Sequence, residues 1–136
     1  MYTNILVPVA LDHQEQAIHA IQLAEKLRSD GGKLTVLHVM EQLPTYVTSQ
    51  IPGRIIEETK SSARSGLQEI ADKSDVDVEE AIIFGHPGRT ICDYAEDHGN
   101  DCIVIASHQP ELADYLLGST AARVVRHAGC SVHVIR

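Results

Sequence analysis

Tryptophan is absent from this chain and phenylalanine occurs once. Cationic residues are also scarce: 11 Lys and Arg face 19 Asp and Glu, for a formal charge of -8. That charge opposes a phosphate backbone, and no basic cluster with interleaved aromatics relieves it, so no nucleic-acid partner is expected. Long apolar runs are missing as well. Nothing reaches the roughly 18 consecutive apolar residues of a membrane-spanning helix. The start, Met1-Tyr2-Thr3-Asn4, has no basic region, and Ile5 to Val9 is too short for the apolar segment of a secretion signal. The expectation is a cytoplasmic protein with no membrane partner. The cysteines, Cys92, Cys102 and Cys130, do not form the paired spacings of a small disulfide scaffold and read as small apolar residues inside secondary structure.

The 136 residues, 43% of them hydrophobic, suffice for one ordinary core and a single domain spanning residues 1–136. Short apolar blocks alternate with helical periodicity. Ile5 to Val9, Leu34 to Val39, Val78 to Phe84, Cys102 to Ala106 and Ser131 to Ile135 read as strands. Asp12 with Glu15 resembles a capping box opening a first helix, whose stripe of Ala17, Ile18, Ile21, Ala24 and Leu27 ends near Gly31-Gly32. Ile56, Thr59, Ala63, Leu67, Ile70 and Ala71 give a second helix. Ile91, Tyr94, Ala95 and His98, closed by Gly99, give a third, and a fourth runs from Ser119 to about His127. Regular β-α alternation with near-continuous apolar strands implies an α/β fold, an open five-stranded parallel sheet with helices on both faces. The expected strand order is 3-2-1-4-5. Glu41 to Gly53, with Pro44 and Pro52, shows neither period and reads as a surface loop, either a plain connection or a flap over a ligand.

Function is written mainly in the tail. Cys102 to Ala106 empties into a polar loop, Ser107-His108-Gln109-Pro110, and the chain returns through Leu116-Leu117-Gly118-Ser119-Thr120 into the last helix. A helix start of this kind presents unpaired N–H groups, here with two hydroxyls and a bare glycine, and favours a phosphate group. In open parallel sheets ligands settle beyond the carboxyl ends of the strands where the order reverses. For order 3-2-1-4-5 that crevice lies between the first and fourth strands, where Pro8 to His13, Val39-Met40 and Ala106 to Ser119 meet. An adenine ring fits against Val9 and Val39, with backbone groups near Val9 and Ala10 reading its edge and Gly118, Ser119 and Thr120 taking phosphate. Neither Gly-x-x-x-x-Gly-Lys-Ser/Thr nor Gly-x-Gly-x-x-Gly after the first strand is present, which sets aside phosphate-loop ATPases and dinucleotide dehydrogenases.

Taken in order, Ile5-Leu6-Val7-Pro8-Val9, Gly85-His86-Pro87, Asp101 to His108, Leu116-Leu117-Gly118-Ser119 and Arg126-His127-Ala128 resemble the universal stress proteins over essentially the whole chain. Ala-Ser-His-x-Pro with Tyr-Leu-Leu-Gly-Ser is similar to the small bacterial F/G-type branch. The resemblance implies the same sheet order, ATP or AMP binding, with magnesium accompanying ATP, and a homodimer through the last strand. It implies a site of Pro8, Val9, Ala10, Val39, Ala106, Ser107, His108, Gln109, Gly118, Ser119 and Thr120. The chain departs from the family's Gly-x2-Gly-x9-Gly-Ser/Thr pattern. Ala106 and Gln109 stand at the first two glycines, and one residue is missing before Gly118. Ala10 replaces the aspartate that commonly follows the first-strand proline by two positions, with Asp12 as a displaced substitute. A side chain at Gln109 crowds a close backbone approach to phosphate, though its amide can also donate.

Plainer readings stand beside these. Ser119 serves equally as a helix N-cap, worth about 1 kcal/mol, and His108 as an exposed loop residue. His127, Cys130 and His133 carry metal-ligand atoms, but on a strand Cys130 and His133 point to opposite faces, so no metal site is expected. Ser131 to Ile135 suits an edge strand or a subunit contact. No nucleophile-base set or acidic magnesium cluster is evident, so no catalytic residue is assigned. Three readings remain: a nucleotide-dependent regulatory module with a further protein partner, a nucleotide-independent dimeric interaction protein, or a slow ATPase or self-modifying enzyme.

Overall fold

The computed structural model describes residues 1–41, 49–107 and 117–136. The elements alternate as β1 (Tyr2–Pro8), α1 (Gln14–Leu27), β2 (Arg28–Met40), α2 (Gly53–Ser74), β3 (Glu79–Phe84), α3 (Pro87–Asp97), β4 (Cys102–Ala106), α4 (Ser119–His127) and β5 (Ser131–Ile135). All pairings are parallel, in the order β3-β2-β1-β4-β5, as expected from the alternation. Among the described residues no helix is long and apolar enough to cross a membrane.

The strand period of two divides the core into two layers. On one face Ile5, Val7, Leu34, Val36, Cys102 and Val104 pack with Ala17, Ala20, Ile21 and Ala24 of α1 and Leu67 and Ile70 of α2. On the other, Leu6, Leu37, Ile103 and Ile105 meet Ile91 and Ala95 of α3 and Ala121 and Val124 of α4. Each fully buried Leu or Ile contributes about 1.5–3 kcal/mol. Burial on both faces explains why these strands carry continuous apolar runs.

Local boundaries differ from the sequence reading at several places: β2 begins at Arg28 rather than Leu34, and β3 at Glu79 rather than Val78. The first helix ends at Leu27, before the glycine pair, because Arg28 turns extended. Its guanidinium bonds the Gly32 carbonyl at 2.9 Å and the Glu25 carboxylate at 2.8 Å. Gly31, at φ +78°, belongs instead to an irregularity within β2, where Tyr2 pairs Arg28 but Asn4 pairs Lys33. The expected capping box does not form: the N-cap is His13, without a side-chain cap bond, and Asp12 lies 3.6 Å from His13 Nε2. β1 begins at Tyr2 rather than Ile5. Cys102 is buried, whereas Cys92 and Cys130 are only half-buried; all three thiols are free. Burial pushes the Cys102 thiol up to about 11. The loop expected over residues 41–53 lies largely outside the described residues, and its last residue, Gly53, starts α2.

Candidate functional site

β1 and β4 are neighbours whose following segments depart on opposite faces, so a crevice opens above their carboxyl ends. A cleft of about 340 Å³ lies there, within the roughly 300–1,000 Å³ range of small-molecule sites. Pro8, Val9 and Ala10 line it from the end of β1, Val39 from β2, Ala106 and Ser107 from β4, and Gly118, Ser119 and Thr120 from the start of α4. These are nine of the eleven residues singled out in the sequence. The other two, His108 and Gln109, lie outside the described residues. Asp12, His13, His38 and, at the start of α3, Pro87 join the lining.

The backbone explains how the walls differ. Val9 N–H donates to the Leu37 carbonyl at 2.8 Å. Its own carbonyl lies 3.0 Å from His38 Nδ1, which must therefore carry a proton. Both Val9 groups thus have a partner within the chain, in the stretch near Val9 and Ala10 to which the sequence reading gives the edge-reading role. The ladder between β1 and β2 ends at Pro8 and Leu37. In a parallel strand alternate residues direct their N–H and C=O to the same neighbour. Leu37 faces β1, so Val39, two positions on, turns both groups to the side β1 has just vacated. Sequence reading placed Val39 as an apolar wall and missed this backbone pair, although the period of two makes it derivable once the register is known.

Across the cleft, the N-cap of α4 is Gly118, at φ -61° and ψ 153°, and not Ser119. The first helical bond runs from Ala122 N–H to the Gly118 carbonyl at 2.9 Å. The N–H groups of Ser119, Thr120 and Ala121 therefore precede the ladder. Gly118 N–H itself donates to Ser107 Oγ at 2.9 Å, while Ser107 N–H is held by the Ile135 carbonyl at 2.8 Å in the β4–β5 ladder. The serine thus ties the end of β4 to the start of α4. Electrostatically, this wall is the positive end of a helix dipole. Asp12 is the one carboxylate among the described residues of the lining.

The description "Universal stress protein family" matches this chain over residues 1–136. The chain belongs to that family. Universal stress protein G of Escherichia coli O157:H7 is 31% identical over 142 residues, covering 100% of both chains, which puts the relationship on the G-type side of the family. The universal stress protein UspA of Lactobacillus plantarum superposes with a TM-score of 0.72 at 31% identity, over 99% of this chain and 98% of that one. A universal stress protein from Archaeoglobus fulgidus, whose structure is in complex with dAMP, shares the fold with a TM-score of 0.66 at 23% identity, over 99% and 98% of the two chains.

Proposed function

We propose that this universal stress protein binds an adenine nucleotide, ATP or AMP, and acts as a regulatory module whose surface changes with occupancy. The observation that carries the reading is the pairing of two backbone features across one cleft. Val39 offers an N–H and a C=O side by side, the pattern that an adenine edge complements. The α4 start offers N–H groups at a positive helix end, which a phosphate complements. The dAMP held by the Archaeoglobus relative supports the ligand class. Ala106, at the position of the family's first glycine, is the last residue of β4, partly buried, and lines the cleft with Gly118 and Ser119.

Magnesium, where ATP is the ligand, arrives on the phosphates: among the described residues the cleft supplies a single exposed carboxylate, Asp12, and one carboxylate with substrate phosphates is an ordinary magnesium arrangement. Among the described residues, β5 pairs on one side only, with β4. Its other edge, Ser131–Ile135, is the surface on which a second copy adds to the sheet, giving a homodimer that brings two clefts into one assembly. Nucleotide binding changes that surface or its neighbours only as far as the ligand prefers one conformation.

The test is nucleotide analysis of an extract of the purified protein, with calorimetric titration of ATP and AMP into wild type and a Gly118→Val, Ser119→Ala variant. Binding by wild type that the variant loses supports the reading. Equal and negligible affinity in both assigns the chain to a nucleotide-independent dimeric module.

A further inference from the structure

The cleft does not end at α4. Past Ser119 and Thr120 it continues into a second groove of about 370 Å³, which shares those two residues and Pro87 with it. This groove runs from the starts of α3 and α4 along α4 to its last turn, where Arg126 and His127 stand. Arg123, Arg126, His86 and His127 line it, against Glu41 as the one acidic side chain among the described lining residues. In a chain of net charge -8 that concentration of cations is out of proportion.

Arg123 is also held there. Gly88, in the first turn of α3, is buried beneath it, and a Cβ on Gly88 would stand 2.6 Å from Arg123 Cδ and 3.1 Å from its Cβ and Cγ. A bare glycine therefore lets the arginine stem lie across the helix start. The contact is made by the aliphatic stem, and it fixes where Arg123 leaves α4, beside the first turn of α3. Among the described residues, no ion pair engages Arg123 or Arg126.

Building on the adenine-nucleotide reading, we propose that this groove receives the phosphates beyond the first of a nucleoside polyphosphate, with Arg123 and Arg126 setting the preference for chain length. The first phosphate sits at Ser119 and Thr120, and the chain runs on between Arg123 and the α3 start. Guanidinium groups bind phosphate oxygens through paired N–H donors, a geometry that glutamine does not reproduce.

Calorimetric titration of AMP, ADP and ATP at fixed ionic strength and magnesium tests this on wild type, Arg123→Gln, Arg126→Gln and the double variant. Circular dichroism melts check that each variant folds; Arg126→Gln, on an exposed position, serves if Arg123→Gln perturbs packing over Gly88. Wild type is expected to bind ATP about tenfold or more tightly than AMP. The variants should erase most of that ratio while leaving AMP affinity within about twofold. An ATP-to-AMP ratio near one in wild type, or a ratio that survives both substitutions, overturns the groove assignment while AMP binding keeps the adenylate site standing. Absence of binding by all three nucleotides removes both.

Discussion

The two ends of the β1–β4 seam treat their polar groups in opposite ways. At the amino end, the Asp101 carboxylate accepts Thr3 N–H at 2.9 Å, Thr3 Oγ1–H at 3.0 Å and Asn4 N–H at 3.0 Å. Asn4 Nδ2 donates to the His98 carbonyl at 2.9 Å, and Asn100 Nδ2 to Asn4 Oδ1 at 2.8 Å. Apart from Asn100 Oδ1, which is buried without a donor, the groups are consumed within the chain. Among the described residues, the carboxyl end holds no partner for the backbone groups of Val39 or for the first amides of α4. An end that spends its hydrogen bonds internally stabilises the sheet; an end that leaves them facing a cleft is available to a ligand.

The largest effect expected from breaking this contrast comes at the amino end. Asp101→Ala leaves two backbone N–H groups and a hydroxyl without their acceptor, at a cost of about 2 kcal/mol, while nucleotide affinity measured under folded conditions stays within about twofold. Urea denaturation monitored by circular dichroism gives the first number and calorimetry the second. The same carboxyl carries a pH signature. Burial works to raise it, but the bonds from Thr3 and Asn4 outweigh that and hold it below the ordinary carboxylate range. A group depressed in the folded state contributes stability that is present above its unfolded value and lost as pH falls through the folded one. Acid unfolding below about pH 4 should therefore be shallower in Asp101→Asn than in wild type. Parallel acid limbs would refute the role given to Asp101.

At the carboxyl end, Ser119→Pro removes one amide donor and little else. Ser119 is the first residue of α4, where proline fits and no helical bond is lost. Gly118, at ψ 153°, is already in the extended conformation that a following proline requires. Nucleotide affinity should fall about tenfold, in line with the loss of one bond to a charged acceptor, with the melting temperature moved by no more than a few degrees. Unchanged affinity would mean that the ligand does not use this helix start.

This contrast was only half legible in the sequence. Apolar runs at Leu34 to Val39 and Cys102 to Ala106 gave strands because burial on two faces demands continuous hydrophobicity, and regular alternation left one economical sheet order. The cleft's lining followed from that order. What could not be read were features set by register and by long-range contact. Gly31-Gly32 looked like a helix stop because a glycine punctuates a helix end and a strand irregularity alike. Asp101 grips Thr3 and Asn4 from 98 and 97 positions away, with no local pattern to announce it. Arg123 over Gly88 is of the same kind: the glycine is visible, its reason is not.

The smallest effect, and the sharpest probe of the comparison, is at Ser107. Its hydroxyl accepts the Gly118 N–H at 2.9 Å, so the carboxyl end carries one internal bond of the sort that dominates the amino end. That bond joins β4 to α4 and occupies an amide directly before the three that face the cleft. If phosphate approaches this amide, it must displace the hydroxyl and forgo part of the gain; if phosphate keeps to Ser119, Thr120 and Ala121, the bond merely braces the wall. Ser107→Ala separates the cases. Loss of one neutral hydrogen bond should lower stability by about 1 kcal/mol in both. Because Gly118 is buried behind the helix start, the bracing role is expected: affinity should drop by about threefold or less as the wall loosens. A rise in affinity would show instead that the hydroxyl and the ligand compete for the same donor.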